Sequence, residues 1–379
     1  MVVDQYNQTK EVLSMSIYND KTIFNKLTHV IDGNFMNGIV KKYNSDFRSQ
    51  HFDTRSHIYS MLYLQLSETK SLRGLIDKLN SNPKLQSSIN VPSVSQLSRK
   101  NASRDYRVFE DLYFHLVHIA KRKLAFNEMN KYFREIKAFD STVIQIAASL
   151  APNLKYENNK SGMKISTLYN VSKGLPEKVH IVPAKVNDRK CITEFVSDQN
   201  VLYLFDRGYF DYKWYDELTD NGFKFITRQV SNASVEEVRS TYVDNDFVFD
   251  SEVTLGTNYS NNKTHNSYRE ILTFNEQQEE VRLLTNIFNI PAEEIINLYR
   301  LRWKIEIFFK WIKQNLRIKQ WLGFNINAIK IQVYSALIAY LLLALLKIDL
   351  DAKLSMLSFT RIILVNLLEN VDILSRLSG

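Results

Sequence analysis

The sequence YRLRWKIEIFFKWIK, residues 299–313, is the stretch from which the rest of the chain can be interpreted. It places Tyr299, Arg302, Glu306 and Lys313 in the pattern Y-x2-R-x3-E-x6-K. Since a helix advances about 100° per residue, these four side chains should fall within roughly 60° of one another on one helix face. A single carboxylate flanked there by an aromatic ring and two cations suits a metal ion held beside a phosphate backbone.

An ordinary amphipathic helix with a solvated charged face is the alternative interpretation, and it is the commoner case for an arbitrary helix. Residues 299–319 nevertheless contain seven basic residues, and Glu306 is their only acid. A solvated helix would alternate its charges so that residues four apart could pair. A separate apolar stripe comprises Leu301, Ile305, Phe308, Ile312 and Leu316. The helix is therefore predicted to dock on a core and to present a functional site beside it.

Size and charge narrow the class of protein. The chain has 379 residues, enough for two domains, and a net charge of +8 that suits a polyanionic partner such as DNA. Cys191 is its only cysteine, which excludes an internal disulfide and disfavours a cysteine-based zinc site. The N-terminus has no apolar signal core, and the most apolar run, 336–346, is about half the length that spans a bilayer. We expect a cytoplasmic, nucleoid-associated protein without a membrane partner.

Residues 21–131 are predicted to form a helical DNA-binding domain, after a flexible segment at 1–20. Residues 92–123 have the outline of a basic helix, a turn and a second basic helix, as in helix-turn-helix DNA readers. A helical bundle with a soluble surface fits that segment equally well. The candidate DNA contacts there are Arg99, Lys100 and Arg104.

From residue 132 the pattern changes to alternating strands and helices. The run VLYLF at 201–205 is wholly apolar, as expected for a central strand that is covered on both faces. A polar segment at about 229–283 is predicted to be a β-rich insertion, with one strand at 242–249. The other predicted strands are 136–146, 164–170, 178–183, 223–228 and 281–286. A catalytic domain is predicted over 132–348, followed by a helical segment at 349–379.

Three acids in this region could converge. Asp140 lies in the first strand, Asp206 follows the strand 201–205, and Glu306 comes from the long helix. Carboxylates brought together repel one another unless a cation lies between them, and a set of oxygen ligands favours Mg²⁺ or Mn²⁺ over zinc. Three acids that hold two such ions suit in-line displacement at phosphorus. Asp188 and Asp211 are rival carboxylates, and periodicity alone does not select among the four aspartates.

A family resemblance makes that selection. The pattern at 299–313 resembles the YREK signature of cut-and-paste insertion-sequence transposases of the DDE superfamily. The segment AFDST at 138–142 resembles that family's first-aspartate strand, and FDRGYFD at 205–211 resembles its second-aspartate segment. The resemblance covers about 132–348 and extends more weakly to the helical region before it.

The resemblance implies an α/β fold of the ribonuclease-H-like kind: a five-stranded mixed sheet with helices on both faces, an insertion and a helical N-terminal domain. It implies that Asp140, Asp206 and Glu306 hold two Mg²⁺ ions, with Mn²⁺ as a substitute. Tyr299, Arg302 and Lys313 would bind phosphates. The implied activity is binding of the element's terminal inverted repeats, hydrolytic cleavage of the DNA ends and joining of the 3′-OH ends to target DNA. A DNA-bound homodimer and no small-molecule cofactor are expected.

One feature departs from the family pattern. Members that cut through a DNA hairpin can use a tryptophan in the insertion to stack on a flipped base, but residues 229–290 contain none. Trp303 is the nearest alternative, although a core-packing role is favoured for it, and Tyr259 or Tyr268 could serve instead. Two rival functions remain open: a repurposed transposase that only binds DNA, and a metal-dependent nuclease of the same fold.

Overall fold

The structure is a computed structural model that describes residues 22–377 except 68, 125–130, 158–159, 231–232, 242–247, 258–262, 276 and 316–320, and except the side chains of 188–190, 241 and 376. The described residues fall into two compact units. One lies within 1–123, 149–151 and 310–379, and the other within 124–148 and 152–309. This division differs from the predicted domains, because residues 310–348 group with the N-terminal helices and not with the sheet. The predicted flexible segment 1–20 lies outside the described residues.

Seven helices occupy the described residues before position 124. They are α1 (Ile23–Thr28), α2 (Gly33–Tyr43), α3 (Thr54–Leu66), α4 (Leu72–Ser81), α5 (Pro83–Gln86), α6 (Val94–Ser103) and α7 (Arg107–Lys123). Most begin at a residue whose side chain accepts a hydrogen bond from a backbone N–H of the first turn, as Asp53 does for α3 and Ser93 for α6. The helical reading of this region is therefore confirmed at the level of backbone structure.

The second unit contains the strands that were predicted to form a mixed sheet. They are β1 (Glu135–Ala147), β2 (Lys155–Glu157), β3 (Lys160–Asn170), β4 (Leu175–Pro183), β5 (Val201–Phe205) and β6 (Lys224–Arg228), with α8 (Asp188–Phe195) before β5 and α9 (Tyr212–Asp220) after it. β1 pairs antiparallel with β3 and parallel with β5, β3 pairs antiparallel with β4, and β5 pairs parallel with β6. The order β4-β3-β1-β5-β6 is the five-stranded mixed sheet of the ribonuclease-H-like fold, and the prediction of that fold is confirmed.

The insertion extends this sheet. Its strands are β7 (Val235–Thr241), β8 (Phe249–Leu255), β9 (Tyr268–Phe274) and β10 (Glu280–Thr285). β10 pairs antiparallel with β6, and β9, β8 and β7 follow outward, so the ten described strands form one sheet. The insertion thus covers the β6 edge, which would otherwise present unpaired backbone groups. Of the strand predicted at 242–249, residues 242–247 lie outside the described part, and β8 begins at Phe249.

The predicted long helix is divided in two. α10 (Ala292–Arg300) ends before Leu301, and α11 (Trp303–Asn315) begins two residues later. In between, the backbone N–H groups of Arg302 and Ile305 donate to carbonyls three residues back, Tyr299 O at 2.9 Å and Arg302 O at 3.1 Å. Bonds of this kind tighten a helix to about three residues per turn. The expectation of one continuous helix through the signature is therefore wrong.

Two helices follow, α12 (Ile326–Asp349) and α13 (Met356–Val365). α12 packs against α3 and α7 in the first unit. Within the described chain it is the one helix long and apolar enough to cross a bilayer. The apolar run at 336–346 therefore underestimated the length of this helix. Its most apolar 18-residue window is 94% buried inside the protein, as in the core helix of a folded domain.

Candidate active site

The register of the sheet brings the two predicted aspartates side by side. β1 and β5 pair in parallel up to Ala138 and Leu204, and Asp140 and Asp206 each follow two residues beyond this pair, close enough for their charges to act on one another. β5 and β6 pair with Phe205 opposite Thr227, which continues the row to Arg228. Neighbouring strands lie about 4.8 Å apart, and directly opposite side chains share one face of the sheet. Two carboxylates and one guanidinium therefore lie at or just beyond the same ends of three neighbouring strands.

The other face of the same strands is the core of this unit. Phe139 and Phe205 are fully buried there with residues of α8 and α9, among them Ile192 and Tyr215. Because successive side chains of a strand alternate between faces, burying Phe139 and Phe205 turns the adjacent aspartates to the opposite side. The apolar pattern of the strands thus decides which face carries the acids.

α11 covers the acidic face and supplies the third carboxylate. Phe308 stacks on Tyr169 of β3 with ring centroids 5.3 Å apart, and Tyr169 is paired with Ala138 on the aspartate face. Glu306 lies two residues before Phe308 and is half-buried. The structure therefore brings Asp140, Asp206 and Glu306 into one neighbourhood, and their role as metal ligands stays a prediction.

The environment of Asp140 is unusual for a surface carboxylate. Burial raises its pKa to about 6, and the negative charges of Asp206 and Glu306 act in the same direction. The backbone N–H of Ser141, which donates to Oδ1 at 2.7 Å, and the charge of Arg302 oppose the shift. A buried acid that faces two further acids is a group whose charge a cation would stabilise.

Asp206 and its rivals differ in what their side chains do. Asp206 precedes a short 3₁₀ turn at Arg207–Tyr209, yet its carboxylate makes no capping hydrogen bond. Asp211, in contrast, caps α9 and accepts from Trp214 N at 3.0 Å. Asp188 begins α8, and its side chain is not among those described. Helix capping accounts for the presence of Asp211, whereas the carboxylate of Asp206 has no capping role.

Tyr299 and Arg302 complete the neighbourhood. Arg302 donates from Nη2 to Glu306 Oε1 at 2.6 Å, and its Nη1 lies 4.0 Å from Asp140 Oδ2. The hydroxyl of Tyr299 and the Nε of Arg302 are buried and have no hydrogen-bond partner among the residues that the structure describes. Burial raises the pKa of Tyr299 to about 12, so this hydroxyl stays protonated. Buried polar groups are normally satisfied, and two orphans side by side indicate a missing acceptor.

These side chains fit a hard divalent cation by chemistry but do not yet enclose one. The donor set is all oxygen, which is the preference of Mg²⁺ and Mn²⁺. Within the described residues no three histidine, cysteine or acidic side chains are close enough together to hold an ion as they stand. The Arg302–Glu306 pair is the reason visible in the structure, since it engages one of the three carboxylates.

A cavity of about 260 Å³ adjoins the site on the side of the insertion. Its polar lining includes Arg228, Arg300 and Arg302, and its aromatic lining includes Trp303 and Phe274. Neither Arg228 nor Phe274 was predicted from the sequence. Arg228 could have been found only from strand register, because nothing in FKFITR distinguishes its arginine from any other at a strand end.

The structure corrects the predictions made from the sequence for the aromatic residues. Trp303 is 60% exposed, so the favoured core-packing role is wrong. The turn at Leu301–Arg302 makes Trp303 the first residue of α11 and directs it outward. Tyr268 is fully buried and donates to Asp216 at 2.8 Å, which removes it as a base-stacking residue. Tyr259 lies outside the described residues.

The remaining signature residue, Lys313, lies seven residues after Glu306 on α11. Helical geometry puts it about 20° from Glu306 around the axis, on the same side of that helix. It belongs to the other compact unit. Its predicted phosphate contact stays a prediction.

The basic residues proposed for the helical region divide into two kinds. Arg99 is exposed on α6, and Lys100 is half-buried and donates to Ser49 Oγ at 2.5 Å. Arg104 is only 4% exposed, and its guanidinium donates to the backbone carbonyls of Ser45, Phe52 and Asp53. This corrects the prediction that Arg104 contacts DNA, because its donors already hold the loop between α2 and α3.

Comparison with known proteins agrees with this geometry. A family model described as the transposase DDE domain matches residues 131–342, and one described as a domain of unknown function (DUF4372) matches 19–90. The protein y4zB of Sinorhizobium fredii, assigned as a transposase, is 30% identical over 63% of this chain and 68% of its own length. The protein assigned as transposase of insertion sequence element IS4SA in Synechocystis sp. is 29% identical over 88% of this chain and 95% of its own.

Among solved structures, the piggyBac transposase in a synaptic complex with hairpin DNA aligns with a TM-score of 0.49 and 11% identity, over 95% of this chain and 82% of that one. The transposase DDE domain model spans more than half of the 379 residues and includes Asp140, Asp206 and Glu306. The chain therefore belongs to the DDE-domain transposase family and is an insertion-sequence transposase.

Proposed function

We propose that this transposase binds double-stranded DNA at the terminal inverted repeats of its element, cleaves the ends with a divalent metal and joins the freed 3′-OH ends to target DNA. The observation that carries the proposal is the meeting of Asp140, Asp206 and Glu306 on one sheet face beside Tyr299 and Arg302. Asp140 and Asp206 are neighbours by strand register, and α11 brings Glu306 over them.

Each group has a role in this proposal. Asp140, Asp206 and Glu306 would hold the metal, and we propose two Mg²⁺ ions, replaceable by Mn²⁺. Such ions supply an activated water for the first cut and stabilise the leaving oxygen. Tyr299, Arg302 and Lys313 would hold phosphates of the cleaved strand, with the bidentate guanidinium of Arg302 fixing the phosphate orientation. Water is the nucleophile in cleavage, and a DNA 3′-OH is the nucleophile in joining.

Recognition of the ends is assigned to the helical region. Arg99 is exposed on α6, which carries no acidic residue. Lys100 would contribute its charge from beside Ser49. Cutting two ends in concert calls for two active sites, so we propose a homodimer on DNA, acting on the nucleoid in the cytoplasm.

Incubation with a duplex of the element end and Mg²⁺ tests the proposal against its two rivals. The expected result is metal-dependent nicking at the element boundary, followed by joined products when a target plasmid is added. A protein that shifts the duplex on a gel but never nicks it is the DNA-binding alternative. Release of cut ends without joined plasmid identifies the nuclease alternative.

The cavity suggests how the second strand could be cut. We propose that an unstacked base of the DNA end enters it between Trp303 and Phe274, which is 36% exposed at the end of β9. Aromatic side chains stack on any base, and three arginines line the same cavity to hold its phosphates. Phe274 would then do from the insertion what a tryptophan does in hairpin-forming relatives.

Trp303→Ala is expected to slow second-strand cleavage by about 10- to 100-fold, because stacking on one aromatic contributes roughly 1–3 kcal/mol per base. Nicking of the first strand should change by no more than about threefold, since no acid is altered. Denaturing gels of an end-labelled duplex separate the two steps. Phe288→Ala is the matched control, because Phe288 is 50% exposed in the same unit but does not line the cavity. Equal second-strand rates for both variants would rule out a base-stacking role.

A further inference from the structure

Arg302 lies between two of the acids assigned to the metal. Its Nη2 donates to Glu306 Oε1 at 2.6 Å, and its Nη1 is 4.0 Å from Asp140 Oδ2. The arginine side chain is 13% exposed, so these contacts are sheltered from water. In this arrangement the guanidinium acts as a counter-ion for the acidic cluster.

This position competes with metal binding by Glu306, because one of the two carboxylate oxygens already accepts from Arg302. The Glu306 oxygen that accepts from Arg302 cannot donate the same electron pair in full to an ion. A divalent cation next to Asp140 would also meet a fixed positive charge a few ångströms away, and like charges at that range repel strongly inside a protein.

A second resting place for Arg302 exists on its other side. Arg302 also lines the cavity of about 260 Å³, together with Arg228 and Tyr299. The Nε of Arg302 and the hydroxyl of Tyr299 are buried, and neither has an acceptor within the described part of the chain. A phosphate oxygen would satisfy both donors, and a guanidinium pairs with phosphate in a bidentate manner.

We propose that Arg302 is a two-position residue that couples DNA binding to metal binding. Without DNA it pairs with Glu306 and keeps the metal affinity of the acids low. A DNA phosphate in the cavity draws the guanidinium away, and Glu306 becomes free to hold the ion. The inference rests on the proposed metal site, and it adds that the site assembles only on DNA, which would limit cleavage away from the element.

The same contacts could instead be a static ion pair that merely fixes α11. The two views differ in their consequence for an ion. A static pair that positions Glu306 would make metal binding weaker when Arg302 is removed, whereas a competing counter-ion would make it stronger. Metal affinity in the absence of DNA therefore decides between them, with no need for catalytic turnover.

The experiment measures Mn²⁺ binding to the full-length protein by titration calorimetry, first without DNA. Arg302→Gln is expected to bind Mn²⁺ at least about tenfold more tightly than wild type, because a unit charge beside the ion is removed. Arg302→Lys, which keeps the charge, should stay near wild type. Arg300→Gln is the matched control, since it removes an equal charge two residues away on the same cavity, and it should change affinity by no more than about twofold.

A pre-cleaved end duplex then tests the coupling. It should raise the Mn²⁺ affinity of wild type by a larger factor than that of Arg302→Gln, because phosphate oxygens can add ligands to the ion in both proteins but displace Arg302 only in wild type. Arg302→Gln that binds Mn²⁺ no better than wild type without DNA overturns the two-position proposal. Failure of the metal site itself gives a different result: Mn²⁺ binding to Arg302→Gln would then be unaffected by adding Glu306→Gln.

Discussion

Asp140→Asn, Asp206→Asn and Glu306→Gln are each expected to lower the rate of end nicking by at least about 10³-fold while end binding is kept. Each change replaces a carboxylate that we propose as a metal ligand by a neutral amide of the same shape. A metal at phosphorus supplies several kcal/mol of transition-state stabilisation, and each 1.36 kcal/mol corresponds to about tenfold in rate. The measurement is the nicking rate of a labelled end duplex in Mg²⁺, with a gel-shift titration of the same duplex for binding.

The fold should survive these changes, which makes the result specific. Burial and the neighbouring acids raise the pKa of Asp140 to about 6. At neutral pH the ionised carboxyl therefore opposes folding, and Asp140→Asn removes that opposition. The free energy of unfolding of this variant should be equal to or above that of wild type.

Asp211→Asn is the matched control for the aspartates. It is the same substitution in the same segment as Asp206, but Asp211 caps α9 and asparagine caps nearly as well. Its nicking rate should remain within about threefold of wild type, as is usual for a conservative change away from the reacting atoms. Any one of the three acid variants that still nicked at the wild-type rate would remove that residue from the metal site.

Much of this site could be predicted from sequence, for a physical reason. A strand buried on both faces leaves a continuous apolar run, and VLYLF at 201–205 coincides with β5 as observed. A polar residue that directly follows such a run is placed by the backbone at the carboxyl end of a central strand. The pattern made Asp206 a candidate, and the family resemblance selected it, together with Glu306, over Asp188 and Asp211; their role as metal ligands stays a prediction.

The break between α10 and α11 left no such trace. Residues 292–315 contain neither proline nor glycine, and the apolar spacing runs on through Leu301. The bonds from Arg302 and Ile305 to carbonyls three residues back form in the folded chain, and periodicity does not register them. The exposure of Trp303 depends on this break, so the error about one led to the error about the other.

Clustered basic residues predicted DNA contacts less well than the apolar pattern predicted the strands. Arg99, Lys100 and Arg104 are equivalent as a basic cluster in the sequence, yet only Arg99 is exposed. The partners of Arg104 come from residues 45–53, more than 50 positions earlier in the chain. A lone sequence cannot show which arginine will find several backbone carbonyls, because those carbonyls converge only when the loop between α2 and α3 folds.

Arg104→Leu is accordingly expected to lower the free energy of unfolding by about 3–5 kcal/mol, the usual cost of breaking a buried, hydrogen-bonded charge interaction. The leucine would leave the carbonyls of Ser45, Phe52 and Asp53 without their donors, and Asp46 would lose a cation 3.4 Å away. Urea denaturation followed by circular dichroism measures the loss.

Arg99→Leu makes the same chemical change five residues earlier on an exposed position of α6, and it should have the opposite profile. Its unfolding free energy is expected to stay within about 0.5 kcal/mol of wild type, as for surface substitutions in general. Its affinity for the end duplex should fall. The slope of log affinity against log salt should become shallower by about one, the change expected for one lost phosphate contact. Stability lost on changing Arg99, or kept on changing Arg104, would contradict this division. In that case the guanidinium of Arg104 would be free to reach DNA after all.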